Sequence, residues 1–224
     1  MSDNRIEPVS TPKPGSTDPG ALRQIFSLLL ALLISFGVGT GARAQSDAAG
    51  DLRAFYDALL STMKNGPSLG SQGRYQALKP VIARTFDLPY MARRAVGPVW
   101  TSTSAAEQQD MTEAFGRYTT ATYSARFDRF SGQQFQVLGQ APAGPDVIVH
   151  TRIVRADGTA TAINYLMHRT GSNWRIADIY LQGTVSELAV RRSEFSSVIR
   201  QEGMNGLIAR LDRKAQAFID GEAK

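Results

Sequence analysis

Residues 146–181 read DVIVHTRIVRADGTATAINYLMHRTGSNWRIADIYL, and this stretch decides the fold. Val147, Val149, Thr151 and Ile153 fall on one face of a strand from Asp146 to Arg155. Asp157-Gly158 is a hairpin signal, because these residues accept the positive φ that a tight two-residue turn requires. The chain returns from Thr159 to Arg169 with Ile163, Tyr165 and Met167 on one face. Gly171-Ser172-Asn173 turns it again, and Trp174 to Leu181 makes the last strand. Period-two alternation across hairpin-linked runs specifies an antiparallel meander. Just upstream, Gln134 to Leu138 alternates as a fourth strand, and Ala141 to Pro145 is the expected turn joining it to the others.

On either side of this core the period changes to that of helices. Asp51 to Lys64 places Leu52, Phe55, Tyr56, Leu59, Leu60 and Met63 on one face, and Asn65-Gly66-Pro67 stops it. Gln72 to Phe86 continues the pattern with Tyr75, Leu78, Ile82 and Phe86. Asp87 then caps a short helix from Pro89 to Val96, which Gly97-Pro98 ends. Ser104 and Glu107 form a capping box that opens the longest helix, expected to reach about Phe130. After the strands, two helices are predicted at Val185 to Arg200 and Asn205 to Ile219, separated by Glu202-Gly203. The predicted fold class is α+β: N-terminal helices, a curved antiparallel four-stranded sheet, and two C-terminal helices enclosing an apolar cavity.

The N-terminus carries an export signal. Arg23 precedes the apolar run IFSLLLALLISFGVG at 25–39, and Ala42-Arg43-Ala44 places small residues at the two positions a signal peptidase reads. That run is shorter than the ~20 residues of a membrane span. The predicted organisation is therefore a signal peptide with a disordered leader at 1–44, cleaved after Ala44, and one domain at 45–224 in the periplasm.

Composition removes most chemistries. The 224 residues contain no cysteine, which excludes disulfides, thiolate metal sites and a cysteine nucleophile. Only two histidines are present, His150 and His168, and both read as strand histidines in contact with solvent. There is no phosphate loop with its lysine and no G-x-S-x-G elbow. The net charge of +5 arises from scattered side chains. Arg191-Arg192 and Arg210, Arg213 and Lys214 are interleaved with Glu187, Glu194, Glu202 and Asp212, which describes a solvated or docking helix face and no nucleic-acid track. No cofactor and no metal are expected. Asp178 is the one carboxylate inside an apolar strand. It can act as a general base of raised pKa or as a structural acceptor, and the structural role is the expected one.

Two segments resemble a known family. Phe86-Asp87-Leu88-Pro89-Tyr90-Met91-Ala92-Arg93-Arg94-Ala95-Val96-Gly97 with Trp100 looks like F-D-x-x-x-M-A-x-x-x-L-G-x-x-W. Tyr165-x-Met167 with Trp174-Arg175-Ile176-Ala177-Asp178-Ile179-Tyr180-Leu181-Gln182-Gly183 is similar to that family's Y-x-L and W-[RK]-[IV]-x-D-[IV]-x-[IVL]-x-G strings. The family is the toluene-tolerance MlaC family of periplasmic lipid-binding proteins. The string from Gly183 through Arg191-Arg192 to Phe195 resembles its hopanoid-associated branch.

The resemblance implies a carrier, without catalysis, that shuttles phospholipid or hopanoid between inner- and outer-membrane transport components and docks on each transiently. A lipid tail costs about 0.8 kcal/mol per CH₂ left in water, so a carrier must cover it. Candidate cavity walls are Tyr90, Met91, Val96 and Trp100 from the short helix and its end, and Phe115 and Tyr118 from the long helix. The sheet would supply Val149, Ile153, Tyr165, Met167, Ile176 and Ile179. Ile179 is included although strict alternation sets it opposite Ile176. Asp178 and Gly183 are expected to be structural. The competing reading is an enzyme acting on a hydrophobic substrate, with Asp178 as general base and Tyr165 as hydrogen-bond donor.

Overall fold

The structure is a computed structural model that describes residues 47–223; the leader and the expected cleavage after Ala44 lie outside the described residues. The described chain runs α1 (Ala48–Lys64), α2 (Gly66–Thr85), α3 (Leu88–Val96), a 3₁₀ turn (Gly97–Ser102) and α4 (Ala105–Arg126). It continues through β1 (Gln134–Ala143), β2 (Asp146–Val154), β3 (Ala160–Thr170), β4 (Asn173–Leu181), β5 (Val185–Ser186) and α5 (Glu187–Ile219). The fold is α+β, as its sequence pattern predicts.

Local chemistry sets the helix starts. The Asp87 carboxylate accepts from the Tyr90 amide at the start of α3, with Pro89 in the first turn. At α4, the Ser104 hydroxyl accepts from the Glu107 amide while the Glu107 carboxylate accepts from the Ser104 amide, so the capping box is complete. Two helices are interrupted by glycines in nearly the same backbone state. Gly70 breaks α2 with φ 64° and ψ −179°, and Gly203 breaks α5 with φ 73° and ψ −176°. The two predicted C-terminal helices are thus the halves of α5. Pro80 is carried inside α2, and the break lies at Gly70.

The sheet is an antiparallel meander in the order β1-β2-β3-β4-β5. It has five strands where four were expected, because Val185–Ser186 returns to pair with Tyr180 and Leu181. The expected turn at Ala141 to Pro145 is also shorter. Ala141, Pro142 and Ala143 pair with Ile148, Val147 and Asp146, so only Gly144-Pro145 turns. Pro142 is tolerated because β1 is an edge strand whose outer side has no ladder to complete. The long helix ends at Arg126, short of Phe130.

One face of the sheet packs on α1 and α4. Val149, Tyr165, Met167 and Ile176 are buried there with Leu52, Phe55 and Tyr56 of α1 and Phe86 at the end of α2. The Tyr56 ring meets Phe135 at 4.8 Å and Tyr165 at 5.9 Å between centroids. Phe55 meets Phe86 and Tyr123 edge-on. These rings join helices to sheet through apolar burial and edge-to-face contact.

Candidate functional site: an apolar cavity between sheet and helices

The register of β3 and β4 builds the site. Met167 pairs with Ile176 and Leu166 with Asp178, so Ala177 is an extra residue on β4. A β-bulge of this kind reverses the alternation beyond it. Ile179 therefore pairs with Tyr165 and joins Ile176 on the helix-covered face. Asp178 turns to the other face.

Beside Tyr165 and Ile179 the helices do not close fully on the sheet, and an apolar cavity of about 110 Å³ remains. Ile163, Tyr165, Ile179 and Leu181 form its sheet wall. Phe115, Tyr118, Thr119, Thr122, Tyr123 and Arg126 of α4, with Phe127, form the opposite wall. Phe86 and Met91 close one side, and Glu187, Leu188 and Arg191 of α5 line another. The volume lies below the ~300–1,000 Å³ of sites that hold drug-sized ligands. A long-chain ligand can occupy this cavity only if its walls move apart.

The inner wall carries a phenol cluster. The Tyr165 ring meets that of Tyr56 edge-on at 5.9 Å between centroids, and the phenols of Tyr56, Tyr123 and Tyr165 are close enough to act on one another. Thr151 donates to the Ile163 carbonyl, so the 2.7 Å bond between Tyr56 and Thr151 has Tyr56 as its donor. Burial pushes the Tyr56 phenol up to about 12, and holds those of Tyr123 and Tyr165 well above the usual tyrosine value. The α4 hydroxyls turn inward on their own helix: Thr122 donates to the Tyr118 carbonyl at 2.8 Å and Thr120 to that of Gly116 at 2.9 Å. Among the described residues no buried side-chain polar atom lacks a hydrogen-bond partner.

The α5 side is charged. Arg191 donates to the Tyr118 hydroxyl at 2.7 Å, pairs with Glu187 at 2.8 Å, and lies over the Tyr118 ring. Burial works against the Arg191 charge, but Tyr118, Glu187 and Glu194 more than offset it and raise its pKa above the usual guanidinium value. Arg191 is therefore not part of a solvated helix face. Its side chain, 13% exposed, ties α5 to α4 across the edge of the cavity.

Of the sequence-predicted wall residues, Met91, Phe115, Tyr118, Tyr165 and Ile179 line this cavity. The others do not. Val96, Val149, Met167 and Ile176 are fully buried in solid core, where neighbouring side chains leave no hollow. Ile153 sits at the end of the sheet opposite Phe135. Trp100 is in the 3₁₀ turn, where its carbonyl accepts from the Gln108 side chain. Tyr90 faces away from the cavity and meets the His168 ring at 4.2 Å. His168 is in turn less open than a free strand histidine, with Nε2 at 3.0 Å from the Asp146 carboxylate. Phe86, Tyr123 and Phe127 also line the cavity, although nothing in their spacing marks them as bordering a hollow.

Asp178 holds the second crossing from sheet to helix. Its carboxylate accepts from the Ser186 hydroxyl at 2.6 Å, the Ile179 amide at 2.7 Å and the Leu188 amide at 3.2 Å. Ser186 itself caps α5 by accepting from the Ala189 amide. Gly183, with φ 81°, makes the turn into β5, and its carbonyl accepts from the Asn164 side chain at 3.0 Å. Asp178 and Tyr165 lie on opposite faces of the sheet, so they do not form one constellation.

A helix-covered antiparallel sheet with an apolar hollow is the geometry of a site that can receive an apolar group. The family comparison is specific: the chain belongs to the MlaC protein family, whose pattern matches residues 53–213. The MlaC protein of Haemophilus influenzae, named an intermembrane phospholipid transport system binding protein, is 24% identical over 210 residues, covering 88% of this chain and 96% of that protein. A phospholipid-binding protein from Ralstonia solanacearum, solved in complex with a phospholipid, has the same fold with a TM-score of 0.68 and 22% identity. That match covers 77% of this chain and 99% of the solved one.

Proposed function

We propose that this protein is a periplasmic lipid carrier, exported by its N-terminal signal and cleaved after Ala44. It takes the tails of a phospholipid or a hopanoid into the cavity between sheet and α4, and passes the lipid between inner- and outer-membrane components. The observation that carries this reading is the apolar cavity at Tyr165 and Ile179, built in a chain of the MlaC family. The named role of the Haemophilus relative and the phospholipid held by the Ralstonia protein support it. The hopanoid alternative rests on the Gly183 to Phe195 string. Among the described residues no helix is long and apolar enough to cross a membrane.

The catalytic reading gains nothing from the geometry. Its base and donor face opposite sides of the sheet, and the Asp178 carboxylate already accepts three hydrogen bonds. The test is lipid extraction and native mass spectrometry of protein purified from the periplasm without detergent. One bound phospholipid or hopanoid per chain is expected, on a chain beginning at Gln45. Protein free of lipid that also takes none up from vesicles would overturn the proposal.

A further inference from the structure

Helix α4 has a hollow on each of two faces. Opposite the cavity, a groove of about 530 Å³ opens between α2 and α4. Tyr75 and Ala83 come from α2, and Thr112, Gly116 and Thr120 from successive turns of α4; Leu88 and Phe86 complete the floor. Phe86 is the one residue that lines both hollows. Its backbone is pinned: Phe86 bridges to Ile176 of β4, and the Asp87 amide donates to the Ile176 carbonyl at 2.9 Å. Its ring is held by edge-on contacts with Phe55 and Tyr123 alone among the aromatic pairs. A ring on a fixed backbone moves by rotamer change, and the Phe86 ring is the side chain that borders both the groove and the cavity.

Glycine is disfavoured inside a helix, yet Gly116 sits near the middle of α4. A Cβ there would lie 3.2 Å from the Leu88 side chain, so its absence keeps the groove floor low. The rim is cationic. Lys79, Arg117 and Arg175 border the groove with one carboxylate, Glu113. Arg117 is held by Asp212 at 2.8 Å and stands near Glu113 at 3.7 Å. Lys79 and Arg175 make no ion pair or side-chain hydrogen bond among the described residues.

From this arrangement, and resting on the carrier reading above, we infer that the groove between α2 and α4 is a second lipid compartment: it seats a phosphate-bearing headgroup on Lys79 and Arg175 and leads an acyl chain past Phe86 into the cavity. Charge complementarity selects the occupant, since two uncompensated cations beside an apolar floor match an anionic amphiphile. The compartment also supplies room that the cavity, at about 110 Å³, does not.

The experiment uses delipidated mature protein and vesicles of a phosphate-free glycolipid doped with labelled phosphatidylglycerol or labelled diacylglycerol, which share tails and differ in the phosphoglycerol headgroup. Lys79→Glu with Arg175→Glu reverses the rim. Gly116→Leu fills the groove from a half-buried helix position where an added Cβ meets only the Leu88 side chain. Rim reversal is expected to lower phosphatidylglycerol uptake at least about tenfold, the loss of one charge-assisted contact, while diacylglycerol uptake is unchanged. Gly116→Leu should lower uptake of both. A phosphatidylglycerol with a photoreactive acyl chain should label the groove at Tyr75 or Thr120 as well as the cavity at Tyr165 or Ile179. Wild-type loading by both variants, or labelling confined to the cavity, overturns the second compartment and leaves the carrier reading standing. Wild-type protein that takes up neither lipid overturns the carrier reading and this inference with it.

Discussion

Ile176 and Ile179 point to the same face of the sheet although three positions separate them on one strand. Ile176 pairs with Met167 and Ile179 with Tyr165, and the extra residue between the two pairs is Ala177. In an unbroken strand their spacing would put them on opposite faces. The bulge gives the MlaC-like β4 two consecutive functions. Its first half fills solid core with Ile176, and its second half borders a hollow with Ile179.

This contrast predicts unequal outcomes for the same substitution. Met167→Glu buries a carboxylate in a site with no hollow and no partner, and is expected to cost about 4 kcal/mol or more. Ile179→Glu places the charge at the cavity, where water can follow it. That variant should fold with a smaller loss and fail to retain lipid. Urea midpoints and co-purifying lipid, measured on both, check the pair. Equal destabilisation would mean that the cavity does not admit solvent and that Ile179 belongs to the core.

The break in α5 gives a second prediction. Gly203 has φ 73° and ψ −176°, and a Cβ added there meets nothing within 4 Å. Any cost of Gly203→Ala is therefore backbone strain alone. That region of φ/ψ space is essentially restricted to glycine and costs other residues about 1–3 kcal/mol. The Tm should fall accordingly while lipid binding persists, because neither Gly203 nor its neighbours in the chain line the cavity. A variant as stable as the parent would show that α5 can straighten through residue 203.

These cases mark what the sequence makes legible. Features coded by adjacent residues could be read directly: the Ser104–Glu107 capping box, the Asp87 cap, the Asp157-Gly158 turn and the alternation of β2 and β3. Features that depend on register could not. Neither Ala177 nor Leu138, the extra residues at the two bulges, differs in type from a residue in a regular strand. The extra residue at Ala177 is why strict alternation sets Ile179 opposite Ile176 although the two share a face. Arg191 read as a surface charge because its partners Tyr118 and Glu187 come together only when α5 folds onto α4. The cavity itself is a local failure of packing, and identical apolar residues line it and fill the core beside it.

Asp178→Asn separates a structural carboxylate from a catalytic one. The carboxylate accepts from two amides and one hydroxyl, and an asparagine offers one acceptor oxygen in place of two. Its amide nitrogen would confront a donor, either Ser186 or a backbone N–H. The expected loss is about 1–3 kcal/mol, with lipid retained. The loss should not add to that of Ser186→Ala, since both changes strike one network at the start of α5. A double-mutant cycle in urea measures the coupling. Strict additivity, or full stability with complete loss of function, would contradict the structural role.

The buried phenols predict a specific response to alkali. A tyrosine is charged only when deprotonated, so burial raises its folded-state pKa above the value in the unfolded chain. For Tyr56 the rise is from 10.0 to about 12, and Tyr123 and Tyr165 move in the same direction. A raised pKa stabilises the fold fully below the unfolded value, and that contribution is lost as pH climbs towards the folded one. Stability should thus be insensitive to these groups up to pH 10. Between 10 and about 12 it should fall by about 1.4 kcal/mol per pH unit for each phenol held protonated. Tyrosinate absorbance should show the phenols of Tyr56, Tyr123 and Tyr165 ionising last, together with loss of tertiary structure. Tyr165→Phe should make the decline above pH 10 shallower without altering stability's pH dependence below it. Ionisation of all seven tyrosines near pH 10 in a chain that stays folded would show instead that water reaches the phenol cluster through the cavity.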